Sequence, residues 1–289
     1  MLLSALLMAS VSAVVTLAKW PFRAPCAALA LWLAGFAGGL TALGCATYAL
    51  FAHLDVQLAH ERLRLPVDVL GVAGAWAFVV HVVVVYVRVH RQGVRRRERH
   101  LTLLGLFGYP VNHLSAVILP SRQPLAYSVP GPEGGRAVIS DGVISGFTRE
   151  EVASVLAHEH AHLRQRHHLL TQLSEALCAS LPKRLFCVRF SERFHSLIEM
   201  RADCAARVKC GRYTIAQALA RMAPDSPAVP TADSGCPVAA RRRHLLSNER
   251  CCSSLASSAV FCLASAVAAA PAALTAAGAL TAACTYVCH

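Results

Sequence analysis

Four apolar runs limit what this chain can fold into. They cover about residues 2–17, 27–52, 67–87 and 253–286, and each is long enough to cross a bilayer as a helix, since a hydrocarbon core of about 30 Å needs roughly 20 helical residues. Charged residues make up 15% of the chain, whereas soluble proteins have about 25%. The first run is also compatible with a cleaved signal peptide, although it lacks a basic start. The sequence predicts a mainly α integral membrane protein with about four transmembrane helices.

Basic residues cluster at the ends of these runs. The formal net charge is +12, and one cluster follows the third run while another precedes the fourth. Positive clusters beside apolar spans mark the cytoplasmic side and attract anionic lipid headgroups, and no groove-reading motif points to nucleic acid. We therefore expect a multi-pass protein of the plasma membrane with residues 91–250 in the cytoplasm. The clusters are Arg88, Arg91, Arg95, Arg96, Arg97 and Arg99, and Arg241, Arg242, Arg243 and Arg250.

The spans divide the chain into three parts. Residues 1–90 are predicted to form three transmembrane helices, residues 91–250 a cytoplasmic domain, and residues 253–286 a fourth transmembrane helix. The middle part mixes strand-like and helical segments. It is therefore expected to be an α+β domain inserted before the last helix.

Local signals locate the first elements of this domain. Residues 125–129 and 137–140 are strand-like and flank a turn rich in proline and glycine, which predicts a hairpin. Thr148 and Glu151 have the spacing of a capping box. The helix that they begin is predicted to reach about Leu173.

This helix carries the sequence His158-Glu159-His160-Ala161-His162. Residues four apart lie on one face of a helix, one turn apart, so His158 and His162 can bind one zinc ion together. Glu159 lies about 100° around the helix from His158, where it can act as the catalytic base towards a metal-bound water. H-E-x-x-H on a helix is a known metallopeptidase signature.

A third zinc ligand is predicted on a second helix, which covers about residues 192–208 and carries Glu199 and Asp203. A catalytic zinc has three protein ligands and keeps its fourth position for water, so Glu199 completes the set begun by the two histidines. Asp203 follows one turn later and is placed to orient a ligand histidine through a hydrogen bond. The alternative is a pair of surface charges on this helix.

Other histidines surround the motif. His195 precedes Glu199 by one turn and is a candidate for stabilising the oxyanion, or else an ordinary helix-surface residue. His167 and His168 follow the motif by more than one turn and are expected to face solvent or headgroups. Because the chain has 14 histidines, the alternative for the motif itself is a solvated basic helix.

The run from Gly142 to His162, followed by Glu199-Met-Arg-Ala-Asp203, resembles the BlaR/MecR-type family of membrane zinc metallopeptidases, which are gluzincins. The resemblance covers about residues 100–250, and three spans before the domain and one after it agree with it. It implies a cytoplasmic zincin-like domain, a Zn²⁺ cofactor and regulatory proteolysis of a transcriptional repressor or another signalling protein. Well-known members add a penicillin-binding sensor after the last span. This chain ends at His289 without one, so a short form is expected.

Two other functions stay open. An HtpX-like quality-control peptidase has a similar two-part motif but typically places membrane spans between its halves, and residues 163–198 contain no such run. A non-catalytic membrane receptor or adaptor with a structural zinc would need the ligands but not Glu159. The expected partners are a protein substrate and the lipid bilayer, without direct nucleic-acid binding, and a homo-oligomer is left open.

A strand edge beside the zinc site is expected to hold the substrate. A peptidase must present an extended peptide to its metal, and backbone hydrogen bonding to an exposed strand does this with little regard to sequence. The candidates are residues 125–129 and 137–140, with Gly135 or Gly142 permitting the backbone turn.

Overall fold

The structure is a computed structural model. It describes residues 21, 24–57, 65–111, 114–131, 134–180, 187–222 and 238–247, and isolated positions between 262 and 273. The chain divides into two compact units, residues 1–83 with 252–289, and residues 84–251. The predicted first span lies outside the described residues, and so does the fourth apart from those isolated positions.

Two apolar helices correspond to the second and third predicted spans. Helix α1 is Pro25–Gln57 and helix α2 is Leu65–Phe107, and both are long and apolar enough to cross a membrane by length and composition. In the part of α2 that belongs to the first unit, Val80 and Val83 are 57% and 53% exposed. A helix in the core of a soluble protein would bury such side chains. The two helices therefore favour membrane association.

The second unit contains the rest of α2 together with short strands and helices. The strands are β1 (Tyr109–Val111), β2 (Ala116–Leu119), β3 (Ala126–Val129) and β4 (Arg136–Ser140). The helices are α3 (Asp141–Gly146), α4 (Arg149–Arg164), α5 (His167–Ser180), α6 (Cys187–Cys210), α7 (Arg212–Met222) and α8 (Val238–Leu246). This mixture agrees with the predicted α+β domain.

The strand order of the sheet is β1-β2-β4-β3. β4 pairs in parallel with β2, with Ile139 opposite Ile118, and antiparallel with β3, with Val138 opposite Tyr127. The predicted hairpin is confirmed. One of two segments was predicted as the substrate edge, and the candidate at residues 137–140 is excluded because β4 is hydrogen bonded on both sides. In the sheet formed by the described residues, β3 is an edge strand with one side free.

The two faces of the sheet pack on different helices. Side chains alternate between the faces of a strand, so neighbouring residues of β4 point in opposite directions. Ile139 belongs to a buried cluster with Ile118 and Val155 of α4, whereas Val138 belongs to a cluster with Leu104 of α2. Apolar burial thus holds one face of the sheet against the helix that bears the motif and the other face against α2.

The helix after the capping box is shorter than predicted. Instead of reaching Leu173, α4 ends at Arg164, and α5 begins at His167 after a turn. Arg166 in this turn has a φ of 49°, in the left-handed region that commonly ends helices. The break redirects the chain and turns His167 back towards the motif.

Glycine is required in the hairpin connection. Gly135 has a φ of 83°, which L side chains rarely adopt, and a Cβ there would lie 2.5 Å from the Val129 carbonyl oxygen. The predicted role of Gly135 in the turn is confirmed. Gly142 acts differently, because its backbone lies so close to Arg122 that a Cβ would overlap the carbonyl of that residue.

Candidate metal centre

The helix that carries the motif begins at a complete capping box. The Thr148 hydroxyl accepts a hydrogen bond from the Glu151 amide (3.2 Å), and the Glu151 carboxylate accepts one from the Thr148 amide (2.9 Å). Arg221 of α7 adds a 2.7 Å ion pair to the same carboxylate. The predicted start of the helix is confirmed, and this buried cap ties α4 to α7.

The structure brings the two motif histidines and Glu199 together. Nε2 of His158 and Nε2 of His162 are 3.1 Å apart. Glu199 of α6 places its Oε2 3.4 Å from the first nitrogen and its Oε1 3.4 Å from the second. Within the described residues, these three side chains form a group whose ligand atoms all lie within 4.8 Å of one another.

Asp203 and Arg241 lie behind this cluster. Oδ1 of Asp203 is 3.0 Å from Nδ1 of His158, the ring nitrogen that is not turned to Glu199. Arg241 of α8 donates from Nε and Nη2 to the two carboxylate oxygens of Asp203, each over 2.7 Å, and its Nη1 lies 3.0 Å from Oε2 of Glu199. The side chains of Asp203 and Arg241 are 1% and 12% exposed. They form a buried, charge-assisted network.

The charges in this network stabilise one another. Burial disfavours a charged His158, but the carboxylates of Asp203 and Glu199 outweigh it and raise the pKa of the ring to about 10. Burial likewise disfavours charge on Asp203, yet Arg241 and His158 hold the pKa of its carboxyl well below the usual range. Burial lowers the pKa of His162 to about 4, so this ring is neutral at pH 7 and offers a lone pair.

Glu159 lies beside the cluster and is buried. Burial raises the pKa of its carboxyl, opposed by the nearby His158 ring and a hydrogen bond from Ser128, and reinforced by the charge of Glu199. A raised pKa brings a carboxylate closer to the working pH, as suits a group that accepts and returns a proton. Because Ser128 belongs to β3, the motif helix and the free edge of the sheet meet at Glu159.

The donor set fits a zinc ion. Zinc bonds to imidazole nitrogen and carboxylate oxygen are about 2.0–2.2 Å long, so ligand atoms of a tetrahedral site lie about 3.4 Å apart. In the cluster the two Nε2 atoms lie 3.1 Å apart, and each lies 3.4 Å from a different oxygen of the Glu199 carboxylate. Two imidazoles and one carboxylate leave one tetrahedral position for water or substrate, as in catalytic zinc sites.

Two further histidines are placed as follows. His167 is 1% exposed, and its Nδ1 lies 3.0 Å from Nδ1 of His162. The prediction that His167 faces solvent or headgroups is wrong, because the break at Arg166 turns it inward. His195 is half-buried, with its Nδ1 3.3 Å from the Ser191 hydroxyl. It is not a member of the ligand group found in the part of the chain that the structure describes.

Residues 92–218 match the family model of Peptidase family M48. This segment is similar to peptidase family M48. The matched residues include both halves of the motif. M48 peptidases are zinc metallopeptidases, so the match indicates a metallopeptidase domain in this part of the chain. Neither the curated proteins nor the solved structures give a match to this chain.

Sequence reasoning missed two residues that contact the candidate site, Arg241 and His167. Arg241 was assigned to the basic cluster beside the membrane. That assignment is wrong for Arg241, because its guanidinium is buried against two carboxylates, whereas Arg242 and Arg243 beside it are exposed. The sequence signal for a buried arginine is that several acidic side chains are predicted in one site, because buried carboxylates need a compensating cation. The sequence contains no comparable signal for His167, because the direction in which its side chain points depends on the residue at which α4 ends.

Proposed function

We propose that this protein is a membrane-embedded zinc metalloendopeptidase that hydrolyses peptide bonds in a protein substrate. The observation that carries the proposal is the convergence of His158, His162 and Glu199 beside the buried carboxylate of Glu159. The match of residues 92–218 to the model of peptidase family M48 supports the reaction class. The apolar helices α1 and α2 support the membrane setting.

In this proposal each residue of the site has one role. His158 and His162 hold zinc through Nε2 and Glu199 holds it through a carboxylate oxygen, while Asp203 orients His158. A bound zinc ion would polarise the substrate carbonyl and lower the pKa of the water at its open position to about 7. Glu159 accepts the proton that the attacking water loses and returns it to the nitrogen of the departing amine.

We assign substrate binding to the free edge of β3. The Ser140 amide donates to the Leu125 carbonyl over 2.9 Å, and the Leu125 amide donates to the Ser140 hydroxyl over 2.9 Å, so the backbone groups of these two residues face each other as at a hydrogen-bonded position of the ladder. Such pairs alternate along an antiparallel ladder. The amide and carbonyl of Tyr127 therefore also face β4, and those of Ser128 face the free edge. Because Ser128 contacts Glu159, a peptide paired with this edge would pass the catalytic carboxylate.

We keep His195 as the residue proposed to stabilise the oxyanion. It lies one turn before Glu199 on α6 and is half-buried. His195→Ala should lower kcat while zinc content stays the same, because the substitution removes a donor and no ligand. An unchanged kcat would remove His195 from the mechanism.

The biological role that we propose is regulatory proteolysis, with a transcriptional repressor or another signalling protein as substrate. This role is taken from the resemblance to the BlaR/MecR-type family. The M48 match does not by itself distinguish this type from HtpX-like quality-control peptidases. One observation favours the former type. Helix α5, between the two halves of the motif, has 14 residues, fewer than the roughly 20 that a membrane span needs.

The proposed location is the plasma membrane, with the peptidase domain in the cytoplasm. A reporter fused after Arg99 should behave as cytoplasmic, and one fused at His289 as extracytoplasmic. The opposite result at Arg99 would overturn the compartment and, with it, a cytoplasmic repressor as substrate.

Metal analysis and one conservative substitution test the enzyme. The purified full chain should hold about one zinc per site, and His158→Ala or His162→Ala should lose it. Glu159→Gln should abolish cleavage and keep zinc, because it removes the base and no ligand. Absence of stoichiometric metal from the wild type would overturn the proposal.

The same substitution separates enzyme from adaptor. If cells tolerate Glu159→Gln but not His158→Ala, the protein is a non-catalytic zinc-binding receptor or adaptor. If both variants lose the phenotype, the peptidase is required. Comparing the proteomes of cells that express the wild type and Glu159→Gln then identifies the substrate as the protein that accumulates uncut.

A further inference from the structure

A chain of hydrogen bonds lies behind His162. Nδ1 of His162 is 3.0 Å from Nδ1 of His167, and Nε2 of His167 is 3.1 Å from Oε1 of Gln165. Nε of Arg201 donates to the same Gln165 oxygen. The chain therefore connects helix α6, through the turn between α4 and α5, to the metal centre.

The proton positions along this chain follow from Arg201. A guanidinium only donates hydrogen bonds, so the atom of Gln165 that faces it is the amide oxygen. That oxygen has two lone pairs and accepts its second bond from Nε2–H of His167. A neutral imidazole carries a single N–H, so Nδ1 of His167 is an acceptor. The hydrogen between the two rings therefore belongs to Nδ1 of His162.

This arrangement leaves Nε2 of His162 unprotonated, as a metal ligand must be. The same nitrogen lies 3.1 Å from Nε2 of His158 and 3.4 Å from Oε1 of Glu199. The rings of His162 and His167 are nearly perpendicular, at 88°, with centroids 4.7 Å apart. Because His167 is buried, water does not compete for its acceptor nitrogen.

We propose that His167 is a positioning residue of the metal centre, which accepts a hydrogen bond from Nδ1–H of His162 and so holds Nε2 of that ligand unprotonated and aimed at the cluster. Gln165 and Arg201 select the tautomer of His167 itself. Asp203 lies in the corresponding position beside Nδ1 of His158. Each of the two proposed ligand histidines therefore has its own partner next to Nδ1. The inference rests on the proposed zinc site. Partners of this kind typically change metal affinity about 10–100-fold.

The zinc affinity of the full chain in detergent, measured by competition with a chromophoric chelator, tests the proposal. His167→Leu removes the acceptor and should weaken zinc binding about 10–100-fold. His167→Asn puts an amide oxygen near the position of Nδ1 and should recover most of the affinity. His168→Asn is the matched control, because this neighbour lies outside the hydrogen-bonded chain, and it should bind zinc as the wild type does.

Nitrogen NMR of zinc-free protein labelled with ¹⁵N-histidine gives a readout that depends on neither metal nor activity. His162 of the wild type should be protonated at Nδ1 and unprotonated at Nε2, and His167→Leu should show a mixture of tautomers. An unprotonated Nδ1 in wild-type His162 would overturn the proposal. So would a zinc affinity of His167→Leu within about threefold of the wild type, well short of the typical effect of such partners.

Failure of the wild type to bind zinc is a separate outcome. It would overturn the proposed function, while the tautomer of His162 in the zinc-free protein would still decide whether His167 positions that ring. The two failures are therefore distinguishable.

Discussion

Replacing Arg241 with alanine should destabilise the peptidase domain. Its guanidinium makes two 2.7 Å hydrogen bonds to Asp203 and a 3.0 Å ion pair to Glu199. In Arg241→Ala the Asp203 carboxylate stays buried but loses its bidentate partner. Removing one partner of a buried pair costs about 3–5 kcal/mol, and each kcal/mol shifts the Tm of a domain of this size by about 2–4 °C. The expected decrease in Tm is therefore about 6–20 °C.

Thermal unfolding of the full chain in detergent, followed by circular dichroism with zinc chelated, measures this decrease without the contribution of bound metal. Arg242 and Arg243 are exposed on the same helix and provide matched controls. Alanine at either position should change stability by no more than about 0.5 kcal/mol. Arg241→Lys keeps the charge but not the bidentate contact, so its Tm should lie between those of the wild type and Arg241→Ala.

The refuting result is an Arg241→Ala variant as stable as Arg242→Ala. Asp203 would then not depend on Arg241, and the buried network would have no role in holding α8 to α6. A low Tm in all three alanine variants would also contradict the reasoning, because it would trace the effect to the helix rather than to the buried ion pair.

Three further predictions concern the substrate edge, the ligand charge and the helix cap. Ser128→Pro removes the amide at the free edge of β3 without breaking the ladder to β4, so kcat/KM should fall about tenfold with zinc content unchanged. The control Ser128→Ala keeps the amide and should lose less activity. Full activity of the proline variant would exclude this edge as the substrate-binding strand. The carboxylates around His158 raise its pKa to about 10, and Nε2 must lose its proton to bind metal. Zinc binding at pH 7 should therefore release about one proton, and the affinity should fall about tenfold for each unit by which the pH is lowered; calorimetry that shows no dependence on buffer ionisation enthalpy would contradict this. Thr148→Ala removes the cap hydroxyl and should cost about 1 kcal/mol in urea unfolding, with zinc binding retained; an unchanged midpoint would mean that the cap does not stabilise the domain.

Spacing along the chain was enough to predict that two histidines of the candidate site share one face of a capped helix. His158 and His162 are four residues apart, and helix geometry turns residues at this spacing to the same side whatever surrounds the helix. Thr148 and Glu151 form their hydrogen bonds with each other's backbone, so the start of the helix was equally readable. These relations are local, and the rest of the fold does not have to be known to infer them.

The hairpin was predictable, but its position in the sheet was not. The segments that became β3 and β4 have similar strand-like patterns, and a turn with Gly135 joins them. β4 is central because it also pairs in parallel with β2, a contact between segments about 20 residues apart along the chain. Which strand is left with a free side follows from that non-local pairing, and so does the assignment of the substrate edge to Ser128.

By itself, the sequence determined the apolar helices, the capped motif helix and the histidine pair of the candidate metal centre, since each depends on composition or on spacings of a few residues. Only the tertiary structure decided which other side chains contact that candidate centre. Arg241 reaches Asp203 across 38 residues of sequence, and His167 reaches His162 because the chain reverses at Arg166. Buried charges and ring nitrogens are satisfied by whichever partner the fold brings within about 3 Å, and separation along the chain carries no information about that distance.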